Sequence, residues 1–300
     1  MLRKLGYIAI ALAGLLVLAV GAFYGITEVR IRKDYSSVAT RPMVLPADPG
    51  TIELGRRIAT IRGCTGCHSP DLGGSAVIEN AMVAMLYATN LTHGEGGVAD
   101  RYDAARWARA IRNGVGADGR ALLFMPSHEF QGMSDEDVAA LVSFIESVPP
   151  VNRTLPKTSI GPLGRALFLA GQVQLVPAEL VEHDARPVRS VERAVTVEYG
   201  RYLAAGCAGC HGAGYSGGKI PGTPPDFIPA TNLTPNPETG LGKWTEADLF
   251  RTLREGKRPD GTDLDGRFMP WRETSQLTDD EIRAIWLFLR SLPATAEGNR

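Results

Sequence analysis

The pattern Cys-x-x-Cys-His occurs twice in this chain, as Cys64-Thr65-Gly66-Cys67-His68 and as Cys207-Ala208-Gly209-Cys210-His211. Nothing else in the sequence restricts the fold as tightly, because two thiols followed at once by an imidazole form the attachment pattern of a c-type haem. The thiols add to the porphyrin vinyl groups, and the histidine supplies a nitrogen to the iron. Two copies imply two covalently bound haem c groups, attached through Cys64, Cys67, Cys207 and Cys210, with His68 and His211 as iron ligands. The chain holds four cysteines, all of them in these motifs, so none remains for a structural disulfide. A thioredoxin-like dithiol or a zinc site shared between the pairs is the competing reading. Neither requires a histidine directly after the second cysteine, and certainly not in both copies.

Arg3 and Lys4 precede an uncharged run from Leu5 to Ile26. A helix of that length rises about 33 Å, enough to cross a bilayer core. It exceeds the apolar region of a cleaved signal peptide, and Phe23-Tyr24-Gly25-Ile26 is a poor cleavage site. The run therefore reads as a retained transmembrane anchor. Arg30, Arg32 and Lys33 at its far end blunt the positive-inside signal. Orientation follows instead from the cofactor: bacteria attach haem c outside the cytoplasm, so the bulk of the chain is expected in the periplasm, on a single-pass anchor in the inner membrane. The net charge of −1 gives no reason to expect a nucleic-acid partner. With 34 glycines, 20 prolines and 7% aromatics among 300 residues, the fold should be loop-rich, its cores completed by the porphyrins.

Beyond residue 50 the chain reads as one domain written twice. Glu53-Leu54-Gly55-Arg56 before the first motif matches Glu198-Tyr199-Gly200-Arg201 before the second. Gly73-Gly74 matches Gly217-Gly218, and Thr89-Asn90-Leu91-Thr92 matches Thr231-Asn232-Leu233-Thr234. Helices are expected to end at Gly114 and Gly256 in left-handed C-caps. Phe124-Met125-Pro126 and Phe268-Met269-Pro270 follow. Last come Ser134-Asp135-Glu136-Asp137 and Thr278-Asp279-Asp280-Glu281, each an N-cap with acids in the first turn. The helices they open carry Val138, Leu141, Val142 and Ile145, or Ile282, Ile285, Trp286 and Leu289, at helical spacing. The expected organisation is an anchor with its flanks at 1–33, a semi-extended tether at 34–50, domain 1 at 51–150, a linker packed on the haem domains at 151–195, and domain 2 at 196–295. Leu167, Phe168 and Leu169 in the linker would be costly to leave in water.

What occupies the far side of each iron decides between carrying electrons and activating a small molecule. Met269 is the methionine of the second repeat, and Met125 matches it in the same Phe-Met-Pro setting. Met82, Met85 and Met133 have no counterpart and read as packing. His93, His128 and His183 also lack counterparts and are left without a role. His–Met ligation is therefore expected at both irons, through His68 with Met125 and His211 with Met269. Asn90 and Asn232 are either ordinary turn residues or donors to haem propionates, or they hold the methionine loop. Recurrence favours a specific role. Trp244 matches Tyr102, as core packing or as a propionate donor.

With these motifs in place, the chain resembles tandem class I-type cytochromes c. It is most similar to the haem domains in cytochrome subunits of bacterial membrane-bound alcohol, aldehyde and gluconate dehydrogenases. Thr231-Asn232-Leu233-Thr234-Pro235, Gly240-Leu241-Gly242-Lys243-Trp244-Thr245 and Met269-Pro270 carry the resemblance. The first repeat departs from it: His93 stands where the proline would be, and Tyr102 replaces the tryptophan. Those subunits also carry three haem motifs and a C-terminal attachment, whereas this sequence has two motifs and an N-terminal apolar run. The resemblance implies a mainly α fold with two tandem helical haem domains, which here follow the transmembrane helix read from the N-terminal apolar run. It implies a non-catalytic carrier with no small-molecule substrate of its own, moving electrons from a dehydrogenase or quinol-linked partner to a respiratory acceptor. The alternatives are a diheme subunit of a respiratory oxidase or quinol-oxidising complex, and a diheme peroxidase or thiosulfate-oxidising enzyme.

Overall fold

A computed structural model describes residues 2–224 and 226–299. It opens with α1, Leu2–Ile31. Side chains from Leu5 to Val20 stand exposed along it, an arrangement suited to lipid rather than water. Its last turns behave differently. Thr27 is fully buried, and Arg165 from the later linker donates to Thr27 Oγ1 at 2.6 Å and Glu28 Oε2 at 2.8 Å. Arg30 forms a two-pronged pair with Glu179, at 3.1 and 2.6 Å. The segment 34–50 is extended, but it is not a free spacer. Tyr35 is 4% exposed and its N–H donates to Gly119 O at 2.9 Å, while Met43 and Leu45 pack on the first domain's core.

Domain 1 starts with α2, Pro49–Ile61, whose first turn is capped by Asp48 accepting from the Thr51 N–H. The short α3, Cys64–His68, is the first motif itself. An antiparallel hairpin follows, β1 (Ser75–Asn80) with β2 (Ala84–Ala88), and the linker adds β3 (Ser159–Ile160) beside β2. Then come α4 (Ala104–Asn113), α5 (Ser127–Phe130) and α6 (Asp135–Ser147). Gly114 ends α4 in the left-handed region at φ +66°, and Ser134 caps α6 by accepting from Asp137 N. Val138, Leu141, Val142 and Ile145 of α6 are buried against Ile58 and Trp107.

The linker holds α7, Pro162–Leu169. Phe168 is buried, with Leu175, Val176 and Ala178, in a small core that Tyr35 and Val115 complete. Leu169 stays exposed, so burial of this stretch rests on one face only. Domain 2 repeats domain 1, with α8 (Val197–Ala204), α9 (Ala208–His211), α10 (Glu246–Glu255), α11 (Trp271–Thr274) and α12 (Asp279–Ser291). Thr245 and Thr278 form reciprocal capping boxes with Asp248 and Glu281, each satisfying two otherwise orphaned N–H groups. Gly256 closes α10 at φ +68°.

The repeated glycine before each motif has a packing reason. A Cβ on Gly55 would lie 1.9 Å from Ala140 O of α6, and one on Gly200 would lie 1.9 Å from Ala284 O of α12. In both domains the first and last helices cross backbone to backbone at that point. The domains also touch each other. Arg57 of α2 pairs with Glu281 of α12 at 2.5 and 2.9 Å, and the Tyr202 hydroxyl of α8 donates to Asp137 Oδ2 of α6 at 2.6 Å.

Candidate cofactor sites

Each motif opens onto an apolar cavity. The first, of about 320 Å³, is lined by Cys64, Cys67, His68 and Met125, with walls that include Leu72, Leu91, Trp107, Ile111 and Leu141. The second, of about 270 Å³, is lined by Cys207, Cys210, His211 and Met269, with Leu233, Leu241, Trp244, Leu249 and Ile285. The first volume lies at the lower end of the range of about 300–1,000 Å³ for sites that enclose sizeable ligands, and the second just below it. The structure thus gathers around one cavity in each repeat the two cysteines, the histidine and the methionine that the motifs single out.

The histidines are oriented identically. His68 Nδ1 lies 2.7 Å from Thr89 O, and His211 Nδ1 lies 2.7 Å from Thr231 O. A carbonyl can only accept, so Nδ1 carries the proton and the lone pair sits on Nε2, the form a metal-ligating imidazole takes. Desolvation lowers the His68 pKa below the usual imidazole value, against the opposing pull of the Thr89 carbonyl. Burial pushes the Cys64 thiol up to about 12 and the Cys207 thiol up to about 11. Dithiol exchange draws on thiols whose pKa is depressed, so these environments suit a redox pair poorly.

The methionine loops share one backbone device. Ser127 N donates to Met125 O at 2.7 Å, and Trp271 N donates to Met269 O at 2.7 Å. Phe124, before the first methionine, sits at φ +64° and is held there by its N–H donating to Leu175 O of the linker at 2.9 Å. The linker therefore supports the first methionine loop, which no residue pattern in the sequence announced. Met133 also lines the first cavity. Its place in the second is taken by Leu277, which has no ligating atom, so the position is one for packing. His93 lies away from the cavity, bridging Asp100 at 2.6 Å and Glu146 at 2.9 Å.

Asn90 and Asn232 are buried, but neither lines its cavity. Asn90 Nδ2 donates to Val151 O at 2.7 Å and Arg153 O at 3.2 Å, while its Oδ1 accepts from Thr92 N and Oγ1. Asn232 Nδ2 donates to Thr295 O at 2.8 Å and Thr239 Oγ1 at 3.0 Å, and its Oδ1 accepts from Thr234 N and Oγ1. In this structure both amides tie the chain beyond the last helix of each domain to the turn. Tyr102 and Trp244 do line the cavities. Tyr102 stacks on Trp107 at 4.3 Å, and its hydroxyl accepts from Ala117 N.

The donor set fits haem c. Paired thiols, an imidazole with its lone pair on Nε2 and a thioether border one apolar cavity, twice. The family model for cytochrome c matches residues 52–149 and 197–293, more than half of the chain. The chain is 28% identical over 289 residues to the cytochrome c subunit of a quinone-dependent alcohol dehydrogenase from Gluconobacter oxydans, covering 84% of this chain and 57% of that protein. It is 30% identical over 279 residues to the gluconate 2-dehydrogenase cytochrome c subunit of Pantoea cypripedii, covering 83% and 61%. A diheme cytochrome c-type protein of Cereibacter sphaeroides is 28% identical over 292 residues, covering 86% and 91%. The chain thus spans somewhat more than half the length of the dehydrogenase subunits and most of the diheme protein. Such domains carry covalently bound haem c. By two family matches that coincide with its two cavities, the chain belongs to the cytochrome c family.

Proposed function

We propose that this protein is a membrane-anchored carrier of electrons with two haem c groups, one per domain. Cys64 and Cys67 would attach the first, and Cys207 and Cys210 the second. His68 with Met125, and His211 with Met269, would ligate the two irons. Bound there, haem c supplies a one-electron ferric/ferrous couple. The rest falls to the chain's own side chains. The carbonyls of Thr89 and Thr231 fix the imidazole tautomer, the Met125 and Met269 loops present a soft thioether, and apolar walls limit water. A thioether ligand favours the reduced iron and a relatively positive potential.

The observation that carries this reading is the recurrence of the whole donor set, methionine included, in both cavities. A methionine at each iron leaves no open position, which favours a carrier over a peroxidase-like or thiosulfate-oxidising enzyme. The likeness to dehydrogenase cytochrome subunits supports a dehydrogenase, or a quinol-linked enzyme, as electron donor and a respiratory acceptor downstream. The anchor α1 supports a place at the inner membrane, with both domains in the periplasm where haem c is attached. Affinity purification from native membranes in mild detergent tests the partner. A dehydrogenase subunit recovered in fixed ratio is the expected result. Oxidase subunits in its place would overturn that partner in favour of a respiratory complex.

A further inference from the structure

The two attachment segments lie against each other. Arg62, two residues before Cys64, lines the first cavity. Its guanidinium donates to Tyr202 O at 3.2 Å and Leu203 O at 3.4 Å, carbonyls near the end of the helix that leads into the second motif. A Cβ on Gly206, the neighbour of Cys207, would lie 3.3 Å from Arg62 Nη1. From the other side comes Glu129 of α5, the helix that starts directly after Met125-Pro126. A Cβ on Gly209, inside the second motif, would lie 2.2 Å from Glu129 Oε1 and 3.0 Å from Oε2. The Glu129 carboxylate therefore rests on the backbone of the second attachment segment. Its side chain is only 22% exposed, so the carboxylate itself sits largely within the seam. Ile61 enters the second domain's core, and the Arg57–Glu281 pair closes the flank.

We infer that electrons pass between the two cofactor sites directly across this seam, with Arg62 and Glu129 as positioning residues that keep the first site's methionine loop seated on the second site's attachment segment. This rests on the reading of both domains as haem c sites. One electron crosses: ferrous iron on one side becomes ferric, ferric iron on the other becomes ferrous, and no bond or proton moves. Domains that merely shared a linker would exchange electrons only as fast as they met. A fixed seam makes the transfer intramolecular and sets its geometry once, at folding.

The test uses the full-length protein in detergent, carrying both cofactors and Met269→Ala. Reduced by one electron under carbon monoxide, it holds ferrous iron at the opened second site. A laser flash expels the carbon monoxide, and absorbance follows the electron to the first site. The expected result is a phase whose rate does not depend on protein concentration. Adding Glu129→Ala should slow it about tenfold, a barrier rise of about 1.4 kcal/mol, with the resting spectra of both sites unchanged. Gly209→Ala, which displaces the Glu129 carboxylate without deleting it, should slow the phase in the same direction. An unaltered rate in both variants overturns the inference, as does a phase that scales with protein concentration. Failure of carbon monoxide to bind at all instead removes Met269 as ligand, and with it the reading on which the inference rests.

Discussion

Beyond the last helix of their domains, Asn90 binds the Val151 and Arg153 carbonyls, 61 and 63 residues further along the chain, and Asn232 binds the Thr295 carbonyl, 63 residues further; each also accepts two hydrogen bonds from a threonine two residues on. Asn232→Ala would leave the buried Thr234 N–H without its partner and remove one of the two donors to the Thr295 carbonyl, which keeps Thr234 Oγ1 at 3.2 Å. A buried donor left unpaired costs about 1–3 kcal/mol, so domain 2 should lose about 2 kcal/mol. Urea titration followed by the absorbance of the second site checks this: its midpoint should fall while that of domain 1 stays. A spectral change without loss of stability would instead point to a direct contact with the cofactor. These two residues also mark where sequence reading stops. The cysteines and histidines are legible because attachment chemistry demands their local spacing. The methionines are legible because the repeat offers a control. The asparagines' acceptors are backbone carbonyls, which carry no residue-type signal.

Among the helices, the crossing of the first on the last in each domain depends on the absence of a side chain at Gly55 and Gly200. Gly200→Ala would place a methyl group on Ala284 O and force α8 from α12. Overpacking of this kind costs about 1–3 kcal/mol, outweighing the gain of up to about 1 kcal/mol in helix propensity. The thermal midpoint of domain 2 should therefore drop, measured by calorimetry on the purified protein, and a raised midpoint would mean that the helices can separate freely. The caps at Ser134 and Thr278 and the glycine stops at Gly114 and Gly256 were all readable, because capping is local chemistry. The β1–β2 hairpin was not. Ser75–Asn80 and Ala84–Ala88 are short and weakly alternating, and the third strand comes from Ser159–Ile160, far along the chain. Phe124 was equally hidden, since its φ of +64° is imposed by the linker at Leu175.

For the molecule as a whole, the anchor and the first domain are joined more firmly than an extended, proline-containing stretch suggests. Arg165 and Arg30 bind the end of α1 to the linker, and Tyr35 is buried beside the segment that supports the Met125 loop. One aromatic residue in a polar stretch has no periodicity to betray its burial. The apolar run itself was plain, because length and lack of charge suffice. A chain exported with a cleavable signal and starting at Thr27 should partition into the aqueous phase of a detergent phase separation, with both cofactors attached and their spectra unchanged. Its retention in the detergent phase would mean that other surfaces bind the membrane. The most direct measurement on the proposed pair of His–Met sites is near-infrared magnetic circular dichroism of the fully oxidised full-length protein, where a thioether ligand to ferric haem gives a band distinct from that of a second imidazole. The expected spectrum carries the thioether band at the intensity of two irons per chain. A bis-imidazole or high-spin signal at either iron would contradict it.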